Sequence, residues 1–201
     1  FELEIDGMLL SSGWKWVSAQ EVSKTDRGFR HFVIELENTF RPVKIKIHTL
    51  LDGTPVLLRW LEITNTGNMP AALDTVSPWS GRMWAVPGYQ ELLPKGTNNV
   101  FTLGYFTSSY WGWEGWFDWM PLRSVTTRID GFRGAGADAP FFIVRNEALG
   151  QYFFGGLEWS ANYHMEFRCE QDPGVADQIT AVHHGAEPRL SFKIGPSASA
   201  P

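Results

Sequence analysis

One cysteine, Cys169, is too few for an intramolecular disulfide, so nothing in the chain asks for an oxidising compartment. On a strand beside Arg168 it reads as inert packing. There is no CxxC, HxxxH or HExxH to set ligands at zinc spacing. His183 and His184 are adjacent, and on a strand they point to opposite faces, where they cannot share an ion without a bulge. No metal and no cofactor is expected. A GxSxG elbow and a Walker-type loop are also missing, and GFRGAG lacks the strand-to-helix setting of a dinucleotide loop. No Lys/Arg-rich run occurs and the formal net charge is −5, which argues against nucleic acid and against an anionic membrane surface. No apolar run reaches membrane-spanning length. The opening FELEIDGMLL carries acids where a signal peptide carries bases, so a cytoplasmic location is the expectation. The first residue is Phe rather than Met, which reads as a processed or excised piece.

Strand patterns fill the chain instead. Val43, Ile45 and Ile47 alternate with Lys44, Lys46 and His48, the mark of a half-buried strand. VLLRWLEIT is apolar at both parities apart from Arg59 and Glu62, as in a strand covered on both faces. NTGNMP then reads as a turn, with Gly67 free to take positive φ, and residues 71–76 as the returning strand. PFFIVRN, QYFFGGLEWS and YHMEFRCE read as a meander, and residues 178–182 and 189–194 as the last strands. No amphipathic helix longer than two turns is legible. The expected fold is all-β and antiparallel, with residues 1–195 as one domain and residues 196–201, the end of GPSASAP, as a linker-like tail.

Residues 105–119, YFTSSYWGWEGWFDW, hold eight aromatics in fifteen positions and four of the ten tryptophans. Aromatics dominate core burial, so most of this run is expected to pack inside. Flat rings beside Glu114 and Asp118 are also what holds a sugar, whose C–H face stacks on indole and whose hydroxyls need fixed partners. The stacking candidates are Trp111, Trp113 and Trp116 with Glu114 among them, then Trp79 and Trp84. Trp159 reads as core.

General acid–base chemistry needs two ionisable groups across one substrate. The candidates are His164, His183 and His184 with Glu114, Asp118, Glu158 and Glu166. Glu158, between Leu157 and Trp159 in an expected strand, is a carboxylate whose pKa burial would raise. A salt bridge to Arg59 or Arg145 is the alternative for Glu158, and a solvated loop the alternative for His183 and His184. No spacing singles out a glycosidase pair of carboxylates.

Three blocks carry a family resemblance. PVLLRWLEITNTGNMPAAL, YFTSSYWGWEGWFDWMPL and PFFIVRNEALGQYFFGGLEWSANYHMEF resemble stretches of the N-terminal domain of glycoside hydrolase family 36, the α-galactosidases. Leu157, Glu158, Trp159, Ser160 and Asn162 match the family's LEWSGN-like pattern, and Ala161 departs from its Gly. In the Gly-rich loop, Arg133, Gly134 and Ala135 stand where the family has Arg-Gly-x-Ser, with Asp138 near the Ser. The resemblance implies a β-supersandwich of galactose mutarotase-like fold, preceding a (β/α)₈ barrel that holds the nucleophile in a Lys-x-Asp setting. Lys15, Trp16 and Val17 come nearest to that setting and lack the Asp. The implied role is a non-catalytic accessory domain whose partners are galactose or a galactoside, the missing barrel and further copies of itself. The same fold implies an alternative, a stand-alone galactose mutarotase with Glu158 or Glu114 as base and His183 or His164 as acid. A sugar-binding or interaction module outside the family is the third.

Overall fold

In a computed structural model the described residues are 1–24, 28–86, 92–96, 99–107, 115–123, 125–131, 139–159, 161–170 and 188–197. Every pairing between described strands for which the register is known is antiparallel. The chain divides into two compact units, Phe1–Trp79 and Ser80–Pro201.

In the first unit β1 (Glu2–Ile5), β2 (Met8–Leu9) and β7 (Leu73–Ser77) form a three-stranded sheet in the order β2-β1-β7. The strands β3 (Trp14–Lys24), β4 (Arg30–Asn38), β5 (Val43–Leu51) and β6 (Leu57–Asn65) form a four-stranded sheet in chain order. The alternation in β5 settles the packing. Val43 and Ile45 join Leu3, Ile5 and Leu10 in a buried cluster, backed by Trp14, Leu36, Ile47, Ile63 and Val76. Lys44 and Lys46 face the other way, where they pair with Glu37 and Glu62.

Two expectations fail here. β6 is an edge strand covered on one face only, and Leu58 and Trp60 are exposed on the other. Its apolar residues at both parities therefore reflect a hydrophobic outer face rather than a second layer. β7 does not return along β6 but crosses to pair with β1, Leu3 opposite Val76. Gly67 in the intervening turn is absent from the positive-φ residues. A Cβ there would come within 2.8 Å of Pro42, so close approach, not φ, calls for glycine.

The second unit has two four-stranded sheets. One runs β10-β9-β12-β13, from β9 (Phe101–Phe106), β10 (Phe117–Pro121), β12 (Phe141–Asn146) and β13 (Gln151–Gly156). The other runs β11-β14-β15-β8, from β8 (Trp79–Ala85), β11 (Thr126–Gly131), β14 (Tyr163–Glu170) and β15 (Arg189–Pro196). The expected meander is thus split: β12 and β13 form a hairpin, while β14 joins the opposite sheet. The sheets are tied by rings. Phe142 of β12 lies edge-on to Phe167 of β14 at 4.9 Å and 6.3 Å from Phe192 of β15, and Phe153 of β13 is 5.8 Å from Phe192. Leu103, Val144, Met165 and Leu190 are fully buried with them. Burial of the Cys169 thiol, with Glu170 beside it, pushes its pKa up to about 11, which makes it a poor nucleophile. Residues 178–182, expected as a strand, lie outside the described residues, as do Arg133, Gly134, Ala135 and Asp138 of the Gly-rich loop.

Candidate functional site

Inward residues of the β10-β9-β12-β13 sheet build the core, so its outer face is fixed by register. Opposite one another on that face stand Phe117 and Phe106, Trp119 and Gly104, Gly104 and Ile143, and Arg145 and Tyr152, with Phe154 across from Ile143. Phe106 meets Phe117 edge-on at 5.1 Å, and Phe117 meets Trp119 at 5.4 Å. Gly104 is needed beneath them: a Cβ there would lie 2.7 Å from the Phe117 ring and 2.9 Å from that of Trp119. Trp119 is 40% exposed, Phe154 53% and Tyr152 62%. The polar element of the face is Arg145, whose guanidinium lies 5.2 Å from the Trp119 ring centre. Its Nε and Nη2 both reach Glu147 Oε1 at 2.7 Å, and the same oxygen accepts from Thr102 Oγ1 at 2.6 Å. Glu147 and the Tyr152 hydroxyl hold the Arg145 charge firmly on, raising its pKa.

Trp111, Trp113 and Glu114 lie outside the described residues. Trp116 is described and 55% exposed, in the turn entering β10, where its carbonyl accepts from Thr107 N at 2.9 Å. Trp79 opens β8, with the Arg59 guanidinium 4.9 Å from its ring centre. Trp84 is half-buried, stacked on Phe101 at 5.9 Å and edge-on to Phe153 at 6.3 Å, so its ring is committed to packing. The rings of Tyr152 and Phe154 were missed. The only signal was parity: in QYFFGG their neighbour Phe153 is inward, and an all-apolar run hides which ring faces out.

Of the acid–base candidates, His183 and His184 lie outside the described residues. Glu158 follows β13 in an exposed loop, not in a strand, and Trp159 beside it is 48% exposed rather than core, its indole N–H donating to Asn162 O at 3.0 Å. His164 is buried on the outer face of the opposite sheet. Burial lowers its pKa, aided by Arg128 and Lys193 and opposed by Glu166 and Asp130. That face is ionic. Arg128 pairs with Asp130 at 2.8 Å and with Glu166 at 3.1 Å, Lys193 with Glu166 at 3.2 Å, and Arg168 with Glu170 at 3.0 Å.

The first unit carries a further ring cluster that the sequence did not announce. His48 stacks on Trp60 at 4.6 Å, and its Nδ1 is 2.9 Å from His31 Nε2. Glu62 Oε1 is 3.2 Å from His48 Nε2. Burial lowers the His48 pKa, with Glu62 opposing and His31 and Lys46 assisting. Among the described residues no group of three or more His, Cys, Asp or Glu is placed to hold a metal ion.

No family model matches the chain, and no curated protein matches it significantly. Solved structures do. The GH36 α-galactosidase AgaB from Geobacillus stearothermophilus matches with a TM-score of 0.64 at 12% identity, over 98% of this chain and 30% of its own. The α-galactosidase from Lactobacillus brevis matches at 0.65 and 13%, over 97% and 29%. The galactosidase domain of the α-galactosidase-sucrose kinase AgaSK matches at 0.63 and 15%, over 97% and 30%. This chain spans about 30% of the length of the α-galactosidases it resembles, and at such identities what it shares with that portion is the all-β fold.

Proposed function

We propose that the chain is a non-catalytic accessory module of an α-galactosidase-like glycoside hydrolase, and that its exposed aromatic surface serves galactoside binding or subunit packing. The observation that carries this is the fold likeness, which takes in nearly all of this chain and under a third of each α-galactosidase. The exposed rings of Trp116, Trp119, Tyr152 and Phe154 supply the surface. Among the described residues neither sheet face of the second unit sets two carboxylates across an open site: Asp130 and Glu166 are engaged by Arg128. The test is an α-galactoside hydrolysis assay on the 201-residue chain beside a measurement of the polypeptide's mass in its source. No turnover, and a mass far above 22.7 kDa, are expected; hydrolysis by this chain alone would sink the proposal.

One observation favours the mutarotase alternative. His164, its candidate acid, stands directly opposite Asp130 between β11 and β14, although His164 is buried and Asp130 is paired with Arg128. The reaction would take the proton from the C1 hydroxyl and place one on the ring oxygen, with no net proton gained. Polarimetry on fresh α-D-galactose decides: mutarotation at the buffer rate removes this reading.

A further inference from the structure

The aromatic face of the β10-β9-β12-β13 sheet is wider than one sugar. Trp119 stands on one edge strand, Tyr152 and Phe154 on the other, with β9 and β12 between them. Three inter-strand spacings separate the two edges, roughly 14 Å. A single pyranose ring, no wider than an indole, can cover Trp119 or Tyr152 but not both.

We infer that this face is a binding platform for a neutral oligosaccharide of several residues, laid across the strands from Trp119 to Tyr152 and Phe154. The inference deepens the accessory-module reading and rests on it only for the choice of galactose-containing ligands. Three features of the face select this occupant. Its middle is low, because Gly104 and Gly156 stand at the outward positions opposite Trp119 and Phe141, and the rings of Phe117 and Trp119 lean over Gly104. Among the described residues its charge is balanced, because Arg145 is matched by Glu147. An anionic or cationic ligand would find no net complement there, whereas hydroxyls would find a guanidinium whose five N–H donors Glu147 and Tyr152 do not exhaust. Its size suits a small ligand. Four strands of five or six residues project roughly 250 Å². Doubling that for the relief of the rings still falls short of the about 800 Å² per partner that a stable protein interface uses. It lies within the span of the largest apolar patches on monomers, which are often functional.

The test is a calorimetric titration of the whole chain with galactose, raffinose and stachyose, repeated on Trp119→Ala and Tyr152→Ala. The dissociation constant is expected to fall at least tenfold from the mono- to the tetrasaccharide. Each variant should weaken stachyose binding about tenfold, by analogy with the loss of a base stacked on an aromatic ring, with the circular dichroism unchanged. Trp119→Phe substitutes for Trp119→Ala if the latter fails to fold, and Tyr152, being the more exposed, carries the test in any case. Affinity that does not depend on length, or absence of binding to every sugar, overturns the platform while leaving the accessory reading to its own assay. Length-dependent binding of malto- or cello-oligosaccharides but not of galactosides upholds the platform and sinks the galactoside part of that reading. A dimer seen by light scattering that Tyr152→Ala turns into a monomer overturns the platform in favour of a second copy as occupant.

Discussion

The second unit presents two outer sheet faces of equal strand number and opposite chemistry. One, on β11, β14 and β15, is built of Arg128, Asp130, Glu166, Arg168, Glu170 and Lys193, and its charges meet on the face itself. The other, on β10, β9, β12 and β13, carries Phe106, Phe117, Trp119, Phe141, Ile143, Tyr152 and Phe154 around one matched ion pair. Water is a good solvent for the first and a poor one for the second. An exposed row of rings carries that cost, which the proposed binding role would offset, whereas the ionic face carries none.

The largest effect should come from the floor that both faces share. Phe142 is 1% exposed and touches Phe167 and Phe192 across the sandwich and Phe153 along its own sheet. Phe142→Ala should cost about 3–5 kcal/mol, since the rigid sheets cannot close over the void. Chemical denaturation measures it. A loss under about 1 kcal/mol would mean that the two faces do not depend on a common core.

The next effect isolates the ionic face. Glu166 bridges Arg128 and Lys193, and its side chain is only 18% exposed. Glu166→Gln should destabilise by about 1 kcal/mol, the partly buried carboxylate outranking a surface pair but shielded by the half-exposed Arg128. The loss should shrink in high salt, which is the check that charge and not packing is at work.

These residues also show what the sequence could say. β5 was legible because its two parities differ: Val43, Ile45 and Ile47 inward, Lys44 and Lys46 outward. The fold class followed from many such short segments. Pairing was not legible. β7 and β14 follow their neighbours in the chain through short turns, yet both cross to the other sheet, a choice made by tertiary packing. The candidate site was half visible. The run ending at Trp119 announced itself by composition, but Tyr152 and Phe154 sit in strands apolar at both parities, where only the register to Ile143 and Arg145 tells which way each ring points. The resemblance blocks LEWSAN and VLLRWLEIT led to the right fold; the exposure of Glu158, Trp159 and Trp60 was beyond them.

A smaller effect is a matter of pH. His164, and His48 in the first unit, have pKa values held below 6.5, chiefly by burial. In the unfolded chain each takes up a proton as the pH falls through about 6.5, while the folded chain resists, so the unfolded state binds more protons there. Stability is therefore complete above that pH and declines below it. His164→Gln should flatten part of the decline of the melting temperature between pH 7 and pH 5, and His48→Gln another part. A melting temperature that rises on acidification over that window would contradict the burial of both rings.

The smallest effect should be on the stability of the aromatic face itself. Tyr152 is 62% exposed, and its ring buries little on folding, so Tyr152→Ser should change stability by no more than about 0.5 kcal/mol. Removing the hydroxyl takes one partner from Arg145, but Glu147 holds the guanidinium through two nitrogens. The contrast with Glu166→Gln is what counts. If exposure of rings is kept for a ligand, the face should contribute little to folding and much to binding, whereas the ionic face should do the reverse. A loss of 2 kcal/mol or more from Tyr152→Ser in denaturation would mean that the rings hold the hairpin of β12 and β13 together, and the reason for calling this face functional would be gone.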